Sequence, residues 1–454
     1  MVVGNVTLSV GRFHVKLDRH ANRDISRGGT IQSEYGRYSR VVDYPTDREN
    51  EANFDFDLEG RVKRISGYGL FGTVWDWLQR SLSNEWLYYT NEKMFDMTTT
   101  QETTGSYYKP INGRTDLPTI SNPDVLQRNK QKGLSEFRIL LPRLRELLEE
   151  RTREIFRVSE ERSGRATDEE IEELWRFIST VVDKDQTYLA RNAQRLYDVF
   201  GFTLGQDELV PVFSPDSIVA DYQVFPVLDM VGCPENCGFC TVSGKRPFRN
   251  YSREEIDGQF PGLRRFYGRD IANFNSVVVG QNDPFTNPEM VLYAAKRAYS
   301  ELDIANSYPQ GSNLFLFIRN RSLLDTPDDV FDRLEELPYE NIYLNVGWEA
   351  VTNENLGKLG KKQTREEVLA GMKKAAEIMK KGRLIVSGNF ISSNVFNRGY
   401  THDIGQALWD TGFRGTAYLS PHLGQCDRET LEGDYSSLVS YEHNNVLLYI
   451  MQRL

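Results

Sequence analysis

Residues 222–240 read Tyr-Gln-Val-Phe-Pro-Val-Leu-Asp-Met-Val-Gly-Cys-Pro-Glu-Asn-Cys-Gly-Phe-Cys. From Val224 to Leu228 the run is short and apolar, which is how a strand buried on both faces reads. Gly232 then turns the chain into a loop with cysteines at 233, 237 and 240, and only Cys426 lies elsewhere in the 454 residues. Thiols concentrated in one tight loop point to metal binding rather than to a disulfide framework. The spacing C-x3-C-x2-C lacks the second ligand pair of a zinc ribbon and the fourth cysteine of a ferredoxin run. Thiolate is a soft ligand, and three from one loop suit an iron–sulfur cluster. On a four-iron cluster they leave one iron open, and an open iron is a place for chemistry.

Downstream, apolar strands alternate with amphipathic stretches, the pattern of βαβ units and a parallel sheet. Strands are expected near 223–229, 274–280, 313–319, 341–347, 384–391 and 415–419. Helices are expected near 252–266, 288–302, 327–336, 364–381 and 403–411, with a last one near 437–452. The chain before the loop reads differently. Residues 1–120 form an irregular α+β region rich in Asn, Asp, Thr, Gly and Tyr. Within it, Met1–Asp18 holds one or two strands, Val74–Leu87 is an amphipathic helix, and Asp96–Asp124 is irregular or extended. Residues 121–221 form a helix-rich cap or brace, with a protein-binding surface as the competing reading. Phe137, Leu140, Leu144, Leu147, Ile155 and Phe156 set the spacing of one helix, with Pro142 at its start or at a kink. A second runs from Thr167 through Leu174, Ile178 and Val181 toward Phe200. The α/β unit at 222–425 and a C-terminal helix at 426–454 complete the division.

The cysteine spacing, with aromatic Phe239 before the last cysteine and a strand leading into the turn, resembles the signature of the radical S-adenosylmethionine (radical SAM) superfamily. The resemblance covers 222–425 and is to its single-cluster members with an Elongator- or coproporphyrinogen-oxidase-like core. It implies a partial (β/α)6 TIM-type barrel and a [4Fe-4S] cluster on Cys233, Cys237 and Cys240. It also implies S-adenosyl-L-methionine (SAM) chelating the open iron. One electron, from a donor such as a flavodoxin or ferredoxin, then cleaves SAM to a 5′-deoxyadenosyl radical that abstracts hydrogen from substrate.

The same resemblance suggests further site residues. Gly280-Gln281-Asn282-Asp283-Pro284 stands where the family has a Gly-Gly-Glu-Pro segment that accepts hydrogen bonds from the SAM amino group, with Gln281 and Asn282 departing from that pattern. Val346-Gly347-Trp348-Glu349-Ala350, followed by Lys361, Thr364 and Glu367, looks like a shared Gly-x-Glu stretch. That places Glu349 beside the SAM ribose or the substrate, with Trp348 narrowing the pocket. Leu384–Ile391 resembles the adenine-side strand, where Gly388 admits the ring and Ser387 and Asn389 are polar contacts. Arg319, ending the third strand, is a candidate for a SAM or substrate carboxylate. Plainer readings stand beside each of these. They are turn chemistry at 280–284, a helix-entry carboxylate at Glu349, a bulge at Gly388 and a surface arginine at 319.

Cys426 is a candidate hydrogen-atom donor to a substrate radical, against the plainer reading of a packed thiol. Alone it cannot build an all-cysteine auxiliary cluster. His422 and His402 are acid–base candidates with no partner visible in the sequence. Gly67–Gly72 spells G-x-G-x-x-G but follows a strand too polar for a dinucleotide site, and Asp18-Arg19-His20 lacks the glycine of a cobalamin-ligand motif. A net charge of -10 argues against a protein that coats nucleic acid, without excluding a local basic groove. The absence of a signal peptide and of any apolar run of membrane-spanning length points to a reducing cytoplasm. The first functional reading is a radical SAM enzyme acting on a small polar metabolite by dehydration, dehydrogenation, rearrangement or epimerisation. The alternative is modification of RNA or protein, with the N-terminal region as recognition domain. A third keeps the cluster as a structural or sensing element.

Overall fold

The computed structural model describes residues 6–10, 13–18, 38–43, 52–56, 62–68, 74–80, 84–90, 107–108, 138–149, 156–158 and 168–184. It then describes residues 224–449 apart from 236, 241–246, 281–282, 308–310, 423–424 and 441–445. The first seven strands are β1 (Val6–Val10), β2 (Phe13–Asp18), β3 (Tyr38–Asp43), β4 (Ala52–Phe56), β5 (Val62–Tyr68), β6 (Val74–Arg80) and β7 (Asn84–Thr90). They form an antiparallel meander, and β9 (Phe156–Val158) pairs with the free edge of β1. The register aligns Phe156, Leu8, Val15, Val41, Phe54, Ile65, Trp77 and Leu87 in one apolar row across all eight strands. That row explains why the helix expected over Val74–Leu87 is instead two strands. Its tryptophans repeat with a period of two once Trp75 and Trp77 are matched to Tyr89 and Leu87. Phe156, expected at the end of a helix, is likewise a strand residue opposite Leu8. Helix α1 covers 138–149, with Pro142 in its first turns, and α2 is Asp168–Val182. The expected extension of α2 beyond 184 lies outside the described residues, as does most of Asp96–Asp124.

The second sheet is the α/β unit. Its strands are β10 (Val224–Val227), β13 (Ser276–Val279), β14 (Asn313–Arg319), β15 (Asn341–Glu349), β16 (Leu384–Ser392), β17 (Thr416–Pro421) and β18 (Val446–Tyr449). All seven run parallel in sequential order, and β8 (Tyr107–Tyr108) adds antiparallel to β18. Helices α3 (Arg253–Tyr267), α4 (Pro288–Glu301), α5 (Asn320–Asp325), α6 (Asp328–Glu335), α7 (Asn353–Lys358), α8 (Arg365–Lys381), α9 (Tyr400–Thr411) and α10 (Arg428–Val439) fill the crossovers and follow β17. Right-handed crossovers that always advance in one direction put the helices on one face. The six strands read from the sequence are all present. The helix expected at 437–452 is corrected, because α10 ends at Val439 and Val446-Leu447-Leu448-Tyr449 forms a seventh parallel strand on β17. The run of six apolar residues from Val446 to Met451 suits a strand and is too short for a helical stripe.

Alternation gives the sheet two chemically distinct faces. Leu314, Leu316, Ile318, Ile342, Leu344, Val346, Trp348, Val386 and Phe390 pack into the core with the helices. The opposite face carries Phe315 stacked on Tyr343, with ring centroids 4.8 Å apart, and a run of amides. At its lower end Asn341 Nδ2 donates to Asn313 Oδ1 (3.0 Å), Asn313 Nδ2 to Ser276 Oγ (2.9 Å) and Ser276 Oγ to Asn275 Oδ1 (2.7 Å). These bonds join three neighbouring strands and fix their register, since a slip of one residue would strand every member.

On the helix side, Trp348 is fully buried, donates through Nε1 to Asn320 Oδ1 (3.1 Å) and meets the ring of Phe413 edge-on. A Cβ on Gly388 would lie 2.1 Å from Trp348 Cζ3. Gly388 is therefore the notch that seats the indole. Trp348 packs behind the sheet, which corrects the expectation that it narrows the pocket. The variant Gly388→Ala should overpack this contact and cost about 1–3 kcal/mol. Urea titration should show a lower midpoint for G388A and partial recovery when Trp348→Phe is added, whereas an unchanged midpoint would contradict the packing.

Candidate active site at the carboxyl ends of the parallel strands

The cysteine loop leaves the sheet just past β10 and returns before α3. Its base is a short antiparallel ladder of β11 (Met230–Val231) with β12 (Arg249–Asn250), supported by Tyr251 N–H donating to Asp229 O at 2.8 Å. Below it, the carboxamide of buried Gln259 grips Leu228 like a neighbouring strand. Its Oε1 accepts from Leu228 N (2.9 Å), and its Nε2 donates to Leu228 O (2.7 Å). Ser252 and Glu255 form a capping box at the start of α3, and Glu255 also pairs with Arg249 at 2.6 Å. Helix start and loop exit are thus one unit. The loop's far side rests on the turn after α7. Gly360, at φ 65°, lies so close that an added Cβ would sit 3.3 Å from Gly238 N. Both the positive φ and the close approach call for glycine.

Charged groups surround the loop. Arg319, at the end of β14, donates from Nε to Asp283 Oδ2 and from NH2 to Ser322 Oγ (3.0 Å), and its NH1 lies 3.3 Å from Glu235 Oε1 inside the loop. Lys361 Nζ stands 3.8 Å from the other Glu235 oxygen and 3.7 Å from Glu349 Oε1, with its side chain only 5% exposed. Burial works against the Lys361 charge, but Glu349, Cys237 and Glu235 together outweigh it and hold the ammonium above its ordinary value. Burial pushes the carboxyl of Glu349 up against the pull of Lys361. Burial also raises Asp283, opposed by Arg319 and Ser322. Glu349 is the middle residue of a three-residue turn, with φ 67° and Ala350 N–H donating to Trp348 O at 2.8 Å. The turn folds its carboxylate back over Gly347, where an added Cβ would sit 2.8 Å from Glu349 Oε1.

The three loop thiols are partly accessible, and Cys237 donates to Glu235 Oε2 at 3.5 Å. Burial pushes the Cys237 thiol up to about 12, so it is protonated until a metal takes the proton's place. Among the described residues no three ligand side chains converge on one ion. In a four-iron cube each thiolate takes a different corner, and three partly accessible thiols from one loop fit that donor set.

The structure brings Arg319, Glu349, Asp283 and the cysteine loop together and separates other expected residues from them. Phe239 is half-buried against the helix-side core and anchors the loop. Gln281 and Asn282 lie outside the described residues. Asp283 is fully buried, with Oδ2 spent on Arg319 and Ser322 and Oδ1 without accessible surface. That corrects its expected cofactor contact, because an atom with no accessible surface cannot line a chamber. Asp283 instead sets the position of Arg319. Ser387 accepts from Asn345 Nδ2 (2.9 Å), and Asn345 also exchanges hydrogen bonds with Asn389, forming a neutral amide–hydroxyl group on the face opposite the helices. A side chain at Gly388 would point to the helices, into Trp348. Cys426 also falls on the helix side. Its thiol donates to Ser392 Oγ (3.4 Å), and Ser392 Oγ donates to Asp434 of α10 (2.6 Å). The thiol is partly buried against the helix-side core. Glu235 and Ser393 were not singled out from the sequence, Lys361 was named only as part of the Gly-x-Glu stretch, and His422 only as an acid–base candidate without a partner. Glu235 was visible within the cysteine loop, and Lys361 follows a Leu-Gly pair, but their partners are far apart in sequence.

Residues 227–391 match the radical SAM superfamily. Among solved structures, the chain is similar to a radical SAM methyltransferase from Sphaerobacter thermophilus at 16% identity, TM-score 0.39, over 51% of this chain and 67% of that one. It is similar to methylornithine synthase at 14% identity, TM-score 0.34, over 55% and 68%. It is also similar to coproporphyrinogen III oxidase from Escherichia coli at 13% identity, TM-score 0.32, over 46% of each chain, so it spans under half of that enzyme. No curated protein matches the sequence.

Asp229 lies directly under the loop. It is 1% exposed, its Oδ1 has no hydrogen-bond partner, and a Cβ on Gly280 (φ 78°) would come within 2.8 Å of that oxygen. Burial, with a smaller contribution from Asp283, raises its carboxyl from 3.8 to about 8. The folded protein therefore holds a proton that the unfolded chain releases. The associated stability is full below pH 3.8, declines as pH rises, and is gone above about 8. For the cluster-free protein, urea midpoints should fall between pH 5 and pH 8 in the wild type and fall less in Asp229→Asn. Equal slopes for the two would show that Asp229 is not held as the neutral acid.

Proposed function

We propose, from the premise that residues 227–391 are a radical SAM domain, that this enzyme abstracts hydrogen from a small polar metabolite. Cys233, Cys237 and Cys240 would hold the [4Fe-4S] cluster, with SAM beside them. The observation that carries this reading is the three-thiol loop pinned at the carboxyl ends of parallel strands by buried Lys361 and partly exposed Arg319, through one carboxylate, Glu235. When bound, cluster and SAM together supply one-electron cleavage of the sulfonium to a 5′-deoxyadenosyl radical, with the electron coming from a flavodoxin- or ferredoxin-type donor.

The chain's own residues bind and orient. Arg319 and Lys361 offer fixed positive charge to the SAM carboxylate, and neither has to be desolvated when the ligand arrives. Glu349 offers an acceptor to the ribose or the substrate. Asn345, Ser387 and Asn389 offer neutral donors and acceptors, which suits a hydroxylated or amide-bearing molecule better than a strongly charged one. Dehydration, dehydrogenation, rearrangement and epimerisation all begin with this hydrogen abstraction.

A second reading, modification of RNA or protein, gains support from the N-terminal sheet. Its register sets Arg157, Lys16, Arg40 and Arg64 in a single cross-strand row, interrupted by Thr7 and Asp55. Recovery of bound RNA from the purified protein would favour that reading.

Anaerobic protein reconstituted with iron and sulfide should release 5′-deoxyadenosine from SAM on reduction with dithionite. Cys237→Ala should lose this by at least about a hundredfold, within the range for removing a group on which chemistry depends. An intact cluster that leaves SAM uncleaved would rule out both enzyme readings.

A further inference from the structure

His422 continues β17 beyond its last paired residue, with its N–H donating to Ser392 O at 2.7 Å. Its Nδ1 lies 3.0 Å from Ser393 Oγ, and Ser393 Oγ in turn lies 3.0 Å from Gln425 O. These two contacts determine the tautomer. A hydroxyl has one proton and a carbonyl only accepts, so the contact with Gln425 uses the Ser393 proton. The contact with His422 then requires an N–H on Nδ1. A neutral imidazole has one N–H, so Nε2 carries the lone pair. Among the described residues nothing hydrogen-bonds to Nε2. Burial lowers the ring's affinity for a second proton, favouring the neutral form.

The location suits a reacting group. Ser393 and His422 directly follow Ser392 and Pro421, the last pair of β16 and β17, and so stand at the carboxyl ends of these two strands. Leu419 pairs with Phe390, and Phe390 pairs with Glu349. His422 therefore stands three residues beyond the level of Glu349, roughly 10 Å further along the strand direction and two strands across. Charged groups from every side are otherwise engaged. Asp427, in its own loop, binds Asn394 and Thr430, and Asp434 of α10 binds Ser392. Glu349 of β15 faces Lys361, and Tyr400 of α9 hydrogen-bonds the carbonyls of Glu349 and Ile391.

We propose that His422 Nε2 is the proton acceptor of this enzyme, and that its substrate is an alcohol with the hydroxyl on the carbon that loses hydrogen. The assignment rests on the hydrogen-abstraction reading. In the step, the substrate O–H bond breaks, its electron pair stays on oxygen, and a new N–H bond forms at Nε2. The resulting imidazolium keeps its Nδ1–H bond to Ser393. Taking a hydrogen atom from a carbinol carbon makes the neighbouring hydroxyl much more acidic, so an imidazole is base enough. No oxidant or reductant enters this step. The neutral amides and hydroxyl of Asn345, Ser387 and Asn389 on β15 and β16 suit such a substrate.

Histidine labelled with 15N in the cluster-loaded, SAM-bound protein tests this by long-range 1H–15N spectra from pH 5 to 8.5, with His422→Gln to assign the resonances. Near neutral pH, Nδ1 should be pyrrole-type and Nε2 pyridine-type, by at least about tenfold over the reverse tautomer. Ser393→Ala should bring the two tautomers close to equal. Glycerol, used as the hydroxyl probe, should shift the Nε2 resonance toward its hydrogen-bonded position. A proton on Nε2, an imidazolium at neutral pH, or an Nε2 unmoved by glycerol would each overturn the proposal. Failure of the wild type to release 5′-deoxyadenosine is measured separately and would overturn the underlying reading instead.

Discussion

The active end of this sheet depends on one run of buried ion pairs. Asp283 holds Arg319, Arg319 reaches Glu235, Glu235 reaches Lys361, and Lys361 reaches Glu349. The run joins β14, β15 and the turns after β13 and α7 to a cysteine loop that has little core of its own. Buried pairs of this kind add little net stability, because desolvation offsets most of the attraction. Removing one partner is costly, about 3–5 kcal/mol, because the other charge is then stranded. The network therefore specifies where the loop sits. It also holds both cations beside the cysteine loop.

Backbone conformation makes the network possible. Glu349 adopts a positive φ, a cost of about 1–3 kcal/mol for a residue with a side chain, and so folds its carboxylate back toward Lys361. Gly347 leaves the space for that carboxylate, and Gly360 lets the Lys361 turn touch the loop backbone at Gly238. Glu349, Gly280 and Gly360, all at positive φ, serve the carboxyl ends of the strands. The opposite end is held by the Asn275–Ser276–Asn313–Asn341 ladder. The sheet is thus rigid below and specialised above.

Much of the α/β unit was legible in the sequence. Its strands are short apolar runs between helices with clear caps, such as Ser252 and Thr364, and local pattern alone specifies them. The N-terminal meander was not, because the apolar row from Phe156 to Leu87 becomes visible only when eight separate strands are set in register. The Val74–Leu87 segment, read singly, passes for an amphipathic helix. The site divides in the same way. The cysteine loop is contiguous and could be read directly. The partners of Glu235, Asp283 and His422 come from other strands and other loops. Face assignment also escaped one-dimensional reading, since Gly388 and Cys426 lie in the right loops and strands but face the helices. His422, by contrast, was visible only as an unpartnered histidine until Ser393 was brought beside it.

The central claim is that three thiols on one loop hold a four-iron cluster whose fourth iron is open to SAM. Mössbauer spectroscopy of protein reconstituted with 57Fe, recorded before and after SAM is added, tests it most directly. The account predicts a [4Fe-4S] spectrum in which one iron in four changes its isomer shift on SAM addition while three keep theirs. A spectrum of two-iron clusters, or a four-iron spectrum that SAM leaves unchanged, would contradict it.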